Sequence, residues 1–199
     1  MASNVPTDRS NGYEAVAGEF ISRRTRSRVG PSTVRAWARG LREGSSVLEL
    51  GCGHGRPITQ VLVDEGFVVY GIDASPTLLA KLRAQFPGIP AECNAVEDSA
   101  FFERTFDGVV AWGLMFLLTP ETQQVLIHKI ATALRPGGRL LFTSPRQACE
   151  WTDNLTGRLS VSLGADRYRE ILEEAGLTVV DEVDDEGENH YYFARRTGA

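Results

Sequence analysis

The chain has 199 residues, 42% of them apolar and 24% charged, with a net charge of −5. That length can bury a substantial core without disulfides, and the acidic excess argues against a nucleic-acid backbone as the main partner. The three cysteines, Cys52, Cys93 and Cys149, are far apart and lack metal-ligand spacing, so neither a disulfide framework nor a zinc site is expected. The polar start, MASNVPTDRSNGYEA, lacks the charged-then-apolar plan of a signal peptide, and no apolar run approaches the ~18 residues of a membrane span. The expectation is a cytoplasmic protein forming one domain over residues 1–199, as a monomer or homodimer, without membrane contact.

Residues 10–43 read as helical, in two amphipathic pieces, Tyr13 to Arg28 and Pro31 to Arg42. From Ser45 onward, short apolar runs alternate with helical patterns. Val47 to Leu50 reads as a buried strand, Ile58 to Glu65 as a helix, and Phe67 to Ile72 as a second strand ending at Asp73. Ser75-Pro76 caps a helix over Thr77 to Phe86, which Pro87-Gly88 stops. Strands follow at Ile89 to Cys93 and Phe106 to Trp112, then a helix from Pro120 to Leu134. Pro136-Gly137-Gly138 ends it, and Arg139 to Ser144 is a fifth strand. Residues 145–164 are polar and irregular, long for a plain connection, and suited to substrate contacts. A helix from Asp166 to Ala175 and strands at Leu177 to Val183 and His190 to Arg195 complete the chain, around an acidic hairpin from Asp181 to Glu188. Alternating strands and helices predict a doubly wound α/β fold whose ligand sits beyond the carboxyl ends of its strands.

The strongest signal is Val-Leu-Glu-Leu-Gly-Cys-Gly-His-Gly-Arg-Pro at 47–57. A strand running into closely spaced glycines brings bare backbone within reach of a ligand. A dinucleotide site wants Gly-x-Gly-x-x-Gly, but here the third glycine arrives one residue early and Arg56-Pro57 follows it. That spacing disfavours a nicotinamide-dependent oxidoreductase, and the Gly-Lys-Ser/Thr of a P-loop is absent. Asp73 lies about twenty residues on, at the end of the next strand, where a ribose-binding carboxylate belongs.

These segments together resemble the class I S-adenosylmethionine-dependent methyltransferases: Glu49 to Gly55, Gly71-Ile-Asp-Ala-Ser, Phe106-Asp-Gly-Val-Val-Ala and Leu134-Arg-Pro-Gly-Gly-Arg-Leu fall in that family's order and spacing. The resemblance implies a Rossmann-like, mostly parallel seven-stranded sheet with His190 to Arg195 antiparallel, and an N-terminal helical lid carrying Tyr13 and Phe20. It implies S-adenosylmethionine as cofactor, with Glu49, Gly51, Cys52, Gly53 and Gly55 around its methionine part. Asp73 would hold the ribose, with Ala74 and Ser75 beside the adenine and Asn94, Ala95 and Val96 at its edge. Ala111, Trp112 and Gly113 would lie beneath the sulfonium.

Methyl transfer needs an aligned nucleophile and excluded water more than it needs a base. No catalytic residue is fixed by the sequence; Trp112, Phe116 and Tyr13 are the orienting candidates. Family members often carry a histidine near Phe116, whereas Leu114 to Leu117 is wholly apolar here, and the Asn-Pro-Pro-Tyr motif of base and glutamine methylation is missing. An apolar mouth favours a small-molecule acceptor over nucleic acid, with Met115, Phe116, Arg146, Trp151 and Tyr191 as candidate substrate contacts, core packing being the other reading of Met115 and Phe116. Asp153, His190 and Tyr192 are further polar groups in these regions. Tyr191 and Tyr192 alternate along a strand, so only one can face a given pocket. Arg28, in the run Arg23-Arg24-Thr-Arg26-Ser-Arg28, reads first as part of a solvated helix face, and its planar fork makes it the candidate for the cofactor carboxylate. His54 is read as a turn residue and His128 as solvated; no metal site is expected. A protein that binds the cofactor without catalysis is the other reading.

Overall fold

The apolar run at Val47 becomes β1 (Ser46–Leu50), buried along its whole length because helices cover both faces of the sheet around it. The structure, a computed structural model, describes residues 8–198; the first seven residues of the polar start and Ala199 lie outside the described residues. The N-terminal region supplies α1 (Ala17–Arg26) and α2 (Pro31–Ala38), both shorter than the amphipathic pattern predicts. After β1 come α3 (Ile58–Asp64), β2 (Val68–Asp73), α4 (Pro76–Gln85), β3 (Ala91–Cys93), β4 (Phe106–Ala111) and α5 (Pro120–Ala133). The chain continues through β5 (Leu134–Thr143), β6 (Ala148–Thr152), β7 (Leu159–Leu163), α6 (Ala165–Glu174), β8 (Leu177–Asp184) and β9 (His190–Arg196).

The helix starts follow from local chemistry. Ser75 accepts a hydrogen bond from the Leu78 N–H with Pro76 in the first turn of α4, and Thr119 does the same for Thr122 at α5. Pro136 to Gly138 is not a clean break: β5 pairs first at Leu134 with Phe106, then resumes at Arg139 opposite Gly108 after an irregularity.

The main sheet has seven strands in the order β3-β2-β1-β4-β5-β9-β8. β1 to β5 pair in parallel, and β9 runs antiparallel to both neighbours. On one face Leu48, Leu50, Val109, Phe142 and Tyr192 pack under α5 and α6. On the other, Val47, Val69, Val110, Leu141 and Tyr191 meet Val34 and Trp37 of α2 and Ile58 and Leu62 of α3. The chain leaves β1 toward β2 on one side and returns to β4 on the other. Between the carboxyl ends of β1 and β4 the connections diverge and leave a crevice. Among the described residues, no helix is long and apolar enough to cross a membrane.

Residues 145–164 depart from the expected irregular segment. They form an antiparallel hairpin, β6 on β7, with Ala148 opposite Leu163 and Thr152 opposite Leu159. Its burial inverts the usual pattern, since Ser160 and Ser162 are buried while Leu159 is 58% exposed. The hairpin is docked by hydrogen bonds: Ser162 donates to the Pro145 carbonyl at 2.6 Å, and the Gln123 amide donates to the Val161 carbonyl at 2.9 Å. Buried Ser144 and Tyr168 extend this network, with Tyr168 donating to Gln123 at 2.6 Å.

Candidate functional site

The turn after β1 is built by two neighbours. The Gly51 and Cys52 N–H groups both donate to the Ile72 carbonyl, at 2.8 and 3.1 Å, tying the turn to β2. Asp73, the last residue of β2, accepts from the Gly53 N–H at 2.7 Å on one oxygen and from the Ser75 N–H at 2.8 Å on the other. Gly51 and Gly53 have φ of 70° and 55°, a region that side chains other than glycine adopt at a cost. A Cβ on Gly53 would sit 3.3 Å from the Phe20 ring of the lid helix.

Above this turn lies a cavity with about 1070 Å³ of atom-free space, including its open mouth. Of the residues expected around the cofactor, Glu49, Gly51, Cys52, Gly53, Asp73, Ala74, Ala95, Val96, Trp112 and Gly113 line it, and so do the orienting candidates Tyr13 and Phe116. Burial pushes the Asp73 carboxyl up to about 6 and, deeper in, the Glu49 carboxyl up to about 8. The Thr59 hydroxyl, donating to Glu49 at 2.6 Å, opposes that shift in part.

Several expected residues do not reach this cavity. A Cβ on Gly55 would stand 2.6 Å from the Phe86 ring, so this glycine lets the turn pack on the end of α4. Ser75 is buried as the α4 cap and donates to Glu14. The Asn94 amide turns aside to Glu92 at 3.0 Å, and Ala111 is wholly enclosed in β4. Arg28 is exposed and lines a shallow groove beside Arg35 and Asp64. Arg24, four residues earlier and still within α1, enters the cavity in its place, its guanidinium 4.3 Å from the Trp112 ring centroid and 5.5 Å from that of Phe20. Arg24 makes no ion pair among the described residues, and burial lowers its pKa.

The expected substrate contacts separate into three groups. Phe116 lines the cavity, while Met115, its neighbour, is wholly buried in the core. Tyr191 faces inward beneath Trp112, accepting from the indole Nε1 at 2.7 Å and donating to Asp185 at 2.6 Å; its role is structural support. Arg146 and Trp151 line a second, more open cavity with Asn189 and His190, on the far side of Phe116, whose ring lies 5.3 Å from that of Trp151. His54 is buried, its Nε2 3.4 Å from the Thr25 hydroxyl, and burial lowers its pKa, as do Arg56 and Arg24.

The residues that sequence reasoning missed come from the N-terminal segment and from the loops after β3 and β4. Arg9, Ser10 and Asn11 line the cavity, with Glu97 and Leu118 from the loops after β3 and β4, beside Leu114 and Leu117 of the expected apolar mouth. Arg9 pairs with Glu97 at 3.0 Å, and Glu14 accepts from Ser75, Thr77 and the Thr77 N–H, which fastens the segment over the cavity. Asp153, on the β6–β7 turn, also lines the cavity and accepts from the Tyr13 hydroxyl at 3.3 Å.

A family profile described as a methyltransferase domain matches residues 21–182. An uncharacterised methyltransferase of Synechocystis sp. is 28% identical over 151 residues, 69% of this chain and 68% of that protein. The tRNA N(3)-cytidine methyltransferase METTL2 of Gallus gallus is 29% identical over 107 residues, 48% of this chain and only 29% of that much longer protein. Among solved structures, the [4+2]-cyclase SpnF superposes with a TM-score of 0.79 at 18% identity, covering 98% of each chain. The S-adenosylmethionine-bound amino pentose methyltransferase CalS10 of Micromonospora echinaspora gives 0.71 at 16% identity, covering 90% of this chain and 96% of that one. With the profile spanning most of the chain and the strand order and glycine turn in place, the chain belongs to the class I S-adenosylmethionine-dependent methyltransferase family.

Proposed function

We propose that this protein transfers the methyl group of S-adenosylmethionine to a small-molecule acceptor. The observation that carries the reading is the Asp73 carboxylate, held beside the Gly51–Gly53 turn at the floor of a cavity. Each of its oxygens receives one backbone N–H and keeps a further lone pair, which suits a vicinal diol. Ala95, Val96 and Glu97 would flank the adenine, Glu49 and the glycines the methionine chain, and Arg24 the cofactor carboxylate. Bound there, the sulfonium supplies an activated methyl group.

The chain's own contribution is to orient and to exclude water. The N-terminal segment closes the top, and Leu114, Phe116, Leu117 and Leu118 make an apolar wall where the acceptor would approach. Among the described residues, two of the three cavity arginines are already engaged, Arg9 by Glu97 and Asp98 and Arg56 by Gln85. With a net charge of −5 as well, little is left to hold a polyanion.

Calorimetry with S-adenosylhomocysteine and with NADH tests the cofactor assignment, which requires binding of the first and not the second. Incubation with labelled cofactor and either a metabolite library or bulk tRNA tests the acceptor. Label in tRNA would favour the second reading, to which the similarity to METTL2 points. Tight binding without any labelled product would assign a non-catalytic binder.

A further inference from the structure

The groups above the apolar wall include one carboxylate whose position the cofactor does not explain. Asp153 stands at the tip of the β6–β7 hairpin. Its Oδ1 accepts three hydrogen bonds, from the Leu155 N–H at 3.0 Å, the Thr156 N–H at 2.7 Å and the Thr156 hydroxyl at 3.0 Å. These fix the carboxylate in one orientation. Among the described residues, Oδ2 carries only the long 3.3 Å contact from Tyr13, and Asp153 lines the cavity. Burial would raise this pKa, but the bonds from Thr156 and Leu155 outweigh it and hold Asp153 below the usual carboxylate range. It is therefore an ionised acceptor with free capacity, half-buried and facing the same space as Phe116.

We infer that Asp153 Oδ2 receives the N–H of an amino group carried on an apolar, ring-sized body, making the acceptor an amine that rests on Phe116 and the leucines beside it. The inference rests on the methyltransferase reading and names its substrate class. A carboxylate or phosphate acceptor would meet repulsion from Asp153, and a plain hydrocarbon would leave Oδ2 with only the long Tyr13 contact. In the transfer, the lone pair of the neutral amine forms the C–N bond as the C–S pair stays on sulfur. The amine becomes an ammonium, which Asp153 stabilises until one proton passes to water. Because its pKa is low, Asp153 acts by holding and orienting the nitrogen and stabilising its charge.

The test uses three probes with one ring and different head groups: benzylamine, benzyl alcohol and benzoate. Each is titrated at millimolar concentration into the full chain saturated with S-adenosylhomocysteine, and binding is followed by NMR. Benzylamine is expected to bind best and benzoate worst. D153N, whose amide oxygen keeps the turn-capping bonds, is expected to weaken benzylamine by about tenfold or more, the scale of one charge-assisted hydrogen bond. Its melting temperature and its affinity for S-adenosylhomocysteine should stay those of the parent. Equal benzylamine affinity in D153N, preference for benzoate, or no benzylamine binding overturns the inference. Failure of S-adenosylhomocysteine itself to bind would instead overturn the cofactor reading.

Discussion

Removing the Asp73 side chain separates its two tasks, shaping the turn and gripping the ligand. In the free protein the carboxylate accepts from Gly53 and Ser75, at 2.7 and 2.8 Å, which leaves one acceptor site on each oxygen for a ribose hydroxyl. A hydrogen bond to an ionised acceptor contributes about 1.5–3 kcal/mol. Two such bonds, reduced because water enters the site left by the deletion, give about 2–4 kcal/mol, or a weakening of about 30- to 1000-fold at about 1.4 kcal/mol per decade. Calorimetry of Asp73→Ala with S-adenosylhomocysteine measures this directly. The same substitution strands two backbone N–H groups, so a thermal melt must accompany it, with titration well below the variant's midpoint. A loss under about threefold in a folded variant would refute the ribose assignment, because the bonds counted here would then not exist.

The same carboxylate predicts a pH dependence. Its folded pKa of about 6 exceeds the model-compound value of 3.8, so the folded state holds the extra proton between those values. Stability from this group is full below about 3.8 and is lost as pH rises through about 6. Cofactor affinity runs the other way, since the diol needs the ionised form, and should fall by up to about tenfold per pH unit below that pKa. Arg24→Ala should weaken S-adenosylhomocysteine by about tenfold or more in calorimetry, and Arg28→Ala by less than about twofold, because only Arg24 enters the cavity. Gly55→Ala should lower stability by about 1–3 kcal/mol in denaturant melts, since its Cβ would stand 2.6 Å from Phe86 at a φ of 89°. Gly53→Ala should instead show its larger effect on cofactor affinity. Tyr191→Phe leaves the Trp112 Nε1 and Asp185 without their shared partner and should cost about 1–3 kcal/mol of stability.

The strands and the glycine turn were legible because each rests on a local signal: continuous apolar runs for strands covered on both faces, glycines where φ must be positive, Ser-Pro and Thr-Pro where helices begin. Asp73 was legible because strand length fixes its distance from the turn. The β6–β7 hairpin was not. Its Leu-Ser-Val-Ser-Leu alternation is a strand pattern, but the buried face is the serine face, held by Pro145, Ser144 and Gln123. A reading that sends polar residues to solvent finds no core there. Arg24 and Arg28 lie four residues apart and carry identical chemistry, so only the end of α1 at Arg26 and its placement over Trp112 choose between them. Tyr191 and Tyr192 were correctly set on opposite faces, yet α2 and α3 cover one and α6 the other, so neither reaches the cavity.

The lid's attachments differ in kind from those of the floor, and the difference bears on how ligands enter. The floor is fixed by backbone bonds into strands and by buried groups such as Glu49 with Thr59. The N-terminal segment is held by exposed pairs, Arg9 with Glu97 and Asp98, and by Glu14 with Ser75 and Thr77. Exposed ion pairs of this type contribute about 0–1 kcal/mol each and weaken with salt. Together they hold the segment over the cavity, yet the exposed pairs can each be exchanged for water at little cost. The segment touches three loops at once, after β2, after β3 and between β6 and β7, so a ligand that orders any one of them favours closure over the others. Tyr13 is the residue where this coupling converges, packed edge-on against Phe20 at 5.3 Å and bonded to Asp153. Cofactor beneath Phe20 and acceptor beside Asp153 would thus close the same segment, which makes water exclusion most complete when both are present.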